Sequence, residues 1–183
     1  KILRQITHTK NPQGVCAKVK IEYMDSKKFK NNIKGNIIFL DGIQDPGNLG
    51  TLLRTAAWFG INNVVLSNNS VDIFNDKVLR SGMGGHFKIK NIIYSELESI
   101  INHIKNLNYK IYSADLDGKN IFEINKQPNN WALILGNESF GMSKHLNKLI
   151  DLKISIPGAQ NIDSLNVAIA GSISIFHLTN LDN

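Results

Sequence analysis

Short apolar runs alternate along this chain with longer segments of helical periodicity. Strands are predicted over residues 15–23, 36–40, 64–66, 87–93, 109–113, 131–135 and 152–156. Helices are predicted over residues 48–59, 75–80, 96–107, 143–149 and 164–178, with a charged loop over 26–34 and a turn over 115–119. Strands that alternate with helices across short loops predict an α/β fold with a mostly parallel sheet flanked by helices.

The last predicted helix, residues 164–178, is apolar around most of its circumference. A helix of ~15 residues is ~22 Å long, and an all-round apolar surface places it inside the protein or at a permanent interface. Ser164 and Asn166 nevertheless lie in its first turn, where backbone N–H groups are available to polar ligands. We therefore expect a site at this helix start, with Ser164 as the capping residue.

Three polar segments each follow an apolar strand. The first holds Asn48 and Arg54, the second is residues 136–141, and the third joins the Ile156–Pro157 loop to residues 164–166. Ligands of open α/β sheets bind outside the carboxyl ends of the strands. With Asn48 as the N-cap of its helix, Arg54 can line the same cleft. The alternatives are a capping residue with a surface arginine, a glycine-rich turn, and a purely structural helix cap.

Positive charge is concentrated near the N-terminus. Residues 1–34 carry nine Lys or Arg against two acidic residues, or +7, whereas the rest holds twelve against thirteen, or −1. A basic arm on a near-neutral body suits a polyanion such as RNA, although the lysine-rich part could be a solvated loop. The single Cys16 rules out an internal disulfide and fits a reducing compartment, so we expect a cytoplasmic protein.

Several other classes of protein lack their sequence signals. Five His and one Cys show no ligand spacing, so no metal site is predicted. The glycine-rich segment 81–85 matches neither the Rossmann nor the P-loop fingerprint, which argues against a nucleotide-dependent oxidoreductase or an ATPase. No apolar run is long enough to span a membrane. Trp58 and Trp131 are predicted to lie in the core.

Taken together, the three polar segments resemble the SpoU-type, TrmH-like RNA 2′-O-ribose methyltransferases of the SPOUT superfamily. The motifs are DPGNLGTLLRTAAWFG (45–60) with LRSGMGGHF (79–87), LILGNESFGMS (133–143) and ISIPGAQNIDSLNVAIA (154–170). The lead-in TKNPQGVCA (9–17) resembles the junction that follows an extra RNA-binding domain in some members. By this resemblance residues 1–13 are a linker or the tail of such an N-terminal domain, and residues 14–183 are the catalytic domain.

The resemblance implies a SPOUT fold with a deep trefoil knot near the C-terminus, S-adenosylmethionine as cofactor and a homodimer. It implies methyl transfer to the ribose 2′-hydroxyl of RNA. Ribosomal RNA is favoured by the lead-in, with tRNA as the alternative substrate. A non-catalytic RNA-binding scaffold with this fold is a different class of answer, and a pure binder has no need of all four of Asn48, Arg54, Glu138 and Asn166.

Site residues follow from the same motif match. The residues around the methyl acceptor are Asn48, Arg54, Glu138, Ser164 and Asn166, and the cofactor-binding positions are Gly136, Asn137, Ile156, Pro157 and Leu165. Arg54 matches the proposed activator of the 2′-hydroxyl, but a guanidinium group carries no free lone pair at neutral pH and is a poor base. We expect it to stabilise the developing alkoxide. Gly158, Asn161 and Phe140 depart from the family pattern.

Overall fold

The computed structural model describes residue 20 and residues 24–125, 130–159 and 164–180. These residues form a six-stranded sheet in the order β3-β2-β1-β5-β4-β6, in which every neighbouring pair is parallel. The strands are β1 (Ile37–Leu40), β2 (Asn63–Leu66), β3 (Asn91–Tyr94), β4 (Lys110–Asn120), β5 (Trp131–Leu135) and β6 (Leu152–Ser155). The predicted α/β fold with a parallel sheet is confirmed.

Helices cover both faces of this sheet. They are α1 (Ser26–Asn32), α2 (Pro46–Trp58), α3 (Asp76–Gly82), α4 (Leu97–Lys105) and α5 (Val167–Asn180), with short 3-10 helices at Gly85–Phe87, Ile121–Glu123 and Lys144–Leu149. Because successive strand residues point to opposite faces, Ile38 and Leu40 pack in the core under α2 and α5, whereas Ile37 and Phe39 pack under α1 and α4. Strands buried on both faces explain the continuous apolar runs in the sequence.

Four predictions of local structure differ from the structure in whole or in part. Residues 26–32 of the predicted 26–34 loop form α1, because buried Phe29 anchors the helix and Asp25 caps it by accepting from the Lys28 N–H at 2.7 Å. The predicted turn over 115–119 belongs to β4, where the pairing with β6 shifts register. The strand predicted over 87–93 covers 91–94. Trp58 is 83% exposed, whereas Trp131 is buried as expected.

The N-terminal predictions fall outside the described residues. They are the division at residue 13, the environment of Cys16 and, apart from residue 20, the strand over 15–23.

The strand order creates one switch point in the sheet. From β1 the chain continues to β2 on one side, and from β5 it continues to β6 on the other side. Where the outgoing connections of adjacent strands diverge, a crevice opens at their carboxyl ends, and ligands of such sheets bind there. The segments that follow β1 and β5 are therefore the first place to look for a site.

Candidate active site

The start of α2 is held by an acidic cap. Asp45 accepts a hydrogen bond from the Asn48 N–H at 2.8 Å, and Pro46 occupies the first helical position, where its missing N–H costs nothing. The prediction that Asn48 is the N-cap is therefore wrong, and its amide projects from inside the first turn. The Asn48 N–H, together with Lys77 at 3.4 Å, holds the pKa of Asp45 below its ordinary value.

The segment after β5 is a closed loop. Asn137 and Gly141 exchange two backbone hydrogen bonds of 3.0 and 2.9 Å. The Asn137 side chain accepts from the backbone N–H groups of Ser139 and Phe140 at 2.9 and 3.1 Å, and it donates to the Gly42 carbonyl at 2.8 Å. The loop is thus fixed internally and tied to the exit of β1.

Gly136 opens this loop at a point where no side chain fits. A Cβ built there would lie 2.3 Å from the backbone nitrogen of Met142. The glycine predicted to cradle a cofactor therefore has a structural reason to be glycine, since it lets the two ends of the loop approach closely.

Asp41 is a positioning residue that the sequence analysis missed. It is only 5% exposed, and its carboxylate accepts from the Ser143 N–H at 2.7 Å while its own N–H donates to the Leu135 carbonyl at 2.9 Å. The glycine that follows, Gly42, gives this pair of residues the sequence pattern of a turn. The available signal was a carboxylate placed directly after a buried strand, which needs buried partners.

The start of α5 is capped by Asn166. Its side-chain oxygen accepts from the Ala168 and Ile169 N–H groups at 2.9 and 3.3 Å. The helix begins at Val167, and Ser164 lies exposed before it. The prediction that Ser164 caps this helix is therefore wrong. Because the Asn166 oxygen is engaged with the helix, its amide NH₂ is turned outward.

A chain of hydrogen bonds joins the three predicted segments. Asn166 donates through Nδ2 to Oδ1 of Asn48 at 2.9 Å, and Asn48 donates through Nδ2 to Oε1 of Glu138 at 2.7 Å. Each amide uses both its acceptor and its donor, and the carboxylate at the end can only accept. The structure thus brings together Asn48, Glu138 and Asn166 at the switch point of the sheet.

Arg54 lies apart from this chain. Its side chain is exposed on α2, and among the described residues its guanidinium forms no hydrogen bond or ion pair. Its backbone is held tightly, because a Cβ on Gly85 would lie 2.8 Å from the Arg54 Cα. The structure therefore fixes the backbone position of Arg54, while its guanidinium group is available to contact a ligand.

The remaining predicted cofactor positions follow β6 and precede α5. Ile156 is half-buried, Pro157 is exposed, and the Leu165 side chain is 47% exposed. They present apolar surface and backbone groups at the carboxyl edge, which suits a flat, neutral base. A Cβ on Gly158 would meet nothing within 4 Å, and Asn161 lies outside the described residues.

Two kinds of feature are absent from the described part of the chain. No helix there is long and apolar enough to cross a bilayer. No group of three or more His, Cys, Asp or Glu side chains in the same ranges is arranged to hold a metal ion.

The fold and the site define a doubly wound α/β protein with a polar crevice at its switch point. A sequence profile described as the SpoU rRNA Methylase family matches residues 35–176. The chain belongs to this family, which confirms the resemblance drawn from the three motifs.

Individual relatives agree. The chain is 36% identical over 173 residues to 23S rRNA (guanosine(2553)-2′-O)-methyltransferase RlmP of Bacillus subtilis, with 94% of this chain and 67% of the relative covered. A TrmH-family structure from Porphyromonas gingivalis superposes with a TM-score of 0.77 at 29% identity, covering 96% and 70%. An AdoMet-bound rRNA methyltransferase from Sinorhizobium meliloti superposes with a TM-score of 0.74 at 31% identity, covering 80% and 56%.

Proposed function

We propose that this protein transfers a methyl group from S-adenosylmethionine to the 2′-hydroxyl of a ribose in ribosomal RNA. The observation that carries the proposal is the hydrogen-bonded chain from Glu138 through Asn48 to Asn166, which unites the three family motifs at the switch point. Ribosomal RNA is preferred to tRNA because the Bacillus subtilis relative is named for 23S rRNA.

The cofactor positions are Gly136, Asn137, Ile156, Pro157 and Leu165. Support comes from the close turn at Gly136, where no side chain fits, and from the partly exposed apolar surface of Ile156 and Leu165. The AdoMet-bound Sinorhizobium meliloti relative supports the same cofactor. S-adenosylmethionine supplies an electrophilic methyl group on its sulfonium, so an O–C bond forms as the S–C bond breaks and S-adenosylhomocysteine leaves.

Asn48, Glu138 and Asn166 orient the methyl acceptor. Glu138 fixes the orientation of the Asn48 amide by accepting a hydrogen bond from its Nδ2 at 2.7 Å. Asn166 donates a hydrogen bond to the oxygen of the same amide. A ribose has hydroxyl groups that both donate and accept, so a preset row of amide and carboxylate groups selects one orientation.

Arg54 stabilises the charge that develops on the 2′-oxygen. Its guanidinium remains protonated and cannot serve as a base at neutral pH, whereas a free cation near the acceptor lowers the energy of an alkoxide-like transition state. The hydroxyl proton then passes to an RNA phosphate or to water. Ser164, exposed before α5, contacts the RNA at the same edge.

A deep trefoil knot is the finer part of the fold that we propose. Gly171 of α5 packs so closely that a Cβ would lie 2.6 Å from side-chain atoms of Leu135 and Leu52. Gly118 of β4 lies against β6, with a Cβ position 2.5 Å from the backbone of Ile154. Close packing at β6 and again in α5 is consistent with the threaded arrangement that we propose.

A homodimer accounts for the outer face of α5. Ile169, Ile173 and Phe176 are exposed along this face. The rings of Phe176 and Phe59 pack edge to face with their centroids 5.9 Å apart, and Phe59 follows the exposed Trp58 in the chain. A second copy that packs the same face against this one buries these side chains by a two-fold contact. We propose such a dimer in the cytoplasm, where a reduced Cys16 is also expected.

The test is methyl transfer from radiolabelled S-adenosylmethionine to 23S rRNA and tRNA transcripts. A 2′-O-methyl group protects the adjacent phosphodiester from alkaline cleavage, so the modified ribose is mapped as a gap in the hydrolysis ladder. We expect a single gap in 23S rRNA. A gap in tRNA alone would identify tRNA as the substrate. If the protein binds S-adenosylhomocysteine but methylates neither RNA, the alternative of a non-catalytic RNA-binding scaffold is supported.

A further inference from the structure

Phe140 is an aromatic side chain placed in solvent beside the site. It is 89% exposed, the highest value among the exposed large apolar side chains of the described residues. Its chain neighbours, Ser139 and Gly141, are exposed and carry no apolar side chain. The residues on either side of it in the chain therefore add no apolar surface to that of the ring.

The loop that carries Phe140 is closed by hydrogen bonds. The paired backbone hydrogen bonds between Asn137 and Gly141 close it, and the Asn137 side chain accepts from the Phe140 N–H itself at 3.1 Å. The Asn137 amide also donates to Gly42 at the exit of β1. A ring on a fixed backbone loses little conformational freedom when a ligand stacks on it, which favours binding.

The position of the ring links it to the RNA. Phe140 lies two residues after Glu138, which accepts from Asn48 in the proposed methyl-acceptor site. Exposed aromatic side chains that stack on unpaired bases are a usual feature of single-stranded RNA recognition.

We propose that the phenyl ring of Phe140 stacks on an unpaired base of the substrate RNA next to the methylated nucleotide. This inference rests on the proposed function. The target region must then be a loop or an opened helix, because a paired base has no free face. Stacking accepts any base, so Phe140 holds the strand in position while the groups around Asn48 engage the ribose.

A second copy of the chain is a weaker candidate for the occupant. The apolar surface that fits a dimer contact lies along α5, where several side chains are exposed together. A lone ring between two small polar or glycine neighbours offers a partner protein little area, whereas one nucleobase covers one ring face.

The test compares Phe140→Ala, Phe140→Leu and Phe140→Trp. Leucine keeps an apolar side chain without a π face, and tryptophan enlarges the π face. We expect the affinity for a 23S rRNA transcript, measured by filter binding, to fall about 5- to 150-fold in the alanine and leucine variants and to persist in the tryptophan variant. S-adenosylhomocysteine affinity and sedimentation should stay at wild-type values.

Phe122→Ala is the matched control. Phe122 is also exposed, at 74%, but its ring touches His177, at the end of α5 that is distant from Asn166. We expect its RNA affinity to equal that of the wild type. The stacking role would be overturned if Phe122→Ala lost as much RNA affinity as Phe140→Ala, or if Phe140→Leu bound RNA as the wild type does. It would also be overturned if the Phe140 variants lost S-adenosylhomocysteine binding or the dimer together with RNA affinity.

The two proposals fail in distinguishable ways. If the wild type methylates RNA and Phe140→Leu is unaffected, the stacking role is wrong and the enzyme assignment stands. If the wild type binds RNA through Phe140 but transfers no methyl group, the stacking role stands and the enzyme assignment is wrong.

Discussion

Asn166 donates through Nδ2 to Oδ1 of Asn48 at 2.9 Å, although 118 residues separate them in the chain. The same Asn166 side chain caps α5 through its oxygen. One amide therefore has two functions, helix capping through the acceptor and orientation of Asn48 through the donor, and the two can be separated by mutation.

Asn166→Asp should separate them. Aspartate caps helices as well as asparagine does, so the free energy of unfolding should change by less than about 0.5 kcal/mol. It lacks the donor that reaches Asn48, and a carboxylate there faces the Asn48 oxygen, so methyl transfer should fall at least about tenfold. Asn166→Ala should show the same loss of methyl transfer, and its free energy of unfolding should also fall by about 1 kcal/mol because the helix cap is removed. Urea unfolding and kcat/KM measure both effects; wild-type turnover of Asn166→Asp would remove the donor from catalysis.

Arg54→Ala should abolish turnover and leave cofactor affinity nearly unchanged. Loss of a charge that stabilises a developing oxyanion costs about a hundred- to a thousandfold in kcat, whereas no predicted cofactor position relies on this side chain. Calorimetric titration with S-adenosylhomocysteine and single-turnover kinetics measure the two quantities. Arg80→Ala is the control, because Arg80 is also exposed but lies 3.9 Å from its partner Asp76. Loss of cofactor binding in Arg54→Ala would mean that Arg54 belongs to the cofactor site.

Gly136→Ala should disrupt the loop after β5. The added methyl group would lie 2.3 Å from the Met142 nitrogen, and a backbone atom cannot yield as a flexible side chain does. We expect about 1–3 kcal/mol of destabilisation together with loss of S-adenosylhomocysteine binding. Gly158→Ala is the matched control, because its methyl group meets nothing within 4 Å. Equal behaviour of the two variants in urea unfolding would contradict the close approach.

His86 should make stability depend on pH. It is buried against Phe74 and Phe87, neither ring nitrogen has a hydrogen-bond partner among the described residues, and burial lowers its pKa from the ordinary 6.5. As pH falls below that value the unfolded chain takes up a proton that the folded chain resists. Folding stability should therefore fall, by up to about 1.4 kcal/mol per pH unit.

The variant His86→Leu should flatten this dependence, as measured by urea unfolding at pH 8.0, 6.5 and 5.5. His145→Asn, at an exposed position, is expected to keep the wild-type slope. An unchanged slope in His86→Leu would assign the pH dependence to other groups.

Ile173→Asp should dissociate the proposed dimer. Burying a charged carboxylate in an apolar contact costs several kcal/mol, whereas in the free chain this side chain already meets solvent. Sedimentation velocity should find the wild type at twice the chain mass and the variant at the chain mass. Leu107→Asp places the same charge at an exposed leucine after α4 and should leave the mass unchanged. A wild type that sediments as a single chain would contradict the dimer.

The sequence was most informative where one local rule decides the structure. The runs around β1 and β5 are buried on both faces, and polar residues after parallel strands necessarily share one edge of the sheet. The identity of the helix caps was harder, because Asp45 and Asn48, or Ser164 and Asn166, are both chemically suitable. The choice depends on which side chain the distant segments engage, and Glu138 engages Asn48.

The helix α1 was missed for a different reason. Its lysines give the pattern of a solvated loop, and one buried phenylalanine supplies its packing. A single apolar residue carries no periodicity, so the sequence alone could not reveal this face.

The pairing of β1 with β5 also matters during synthesis on the ribosome. Leu40 aligns with Leu135, 95 residues later in the chain, while the opposite edge of β1 pairs with the nearby β2. At a synthesis rate of about 5–20 residues per second, roughly 5–20 s pass between the synthesis of β1 and that of β5. During this time one backbone edge of the apolar strand β1 is unpaired. Such an edge is a template for aggregation, so the nascent chain has a period of vulnerability that ends only when WALIL emerges.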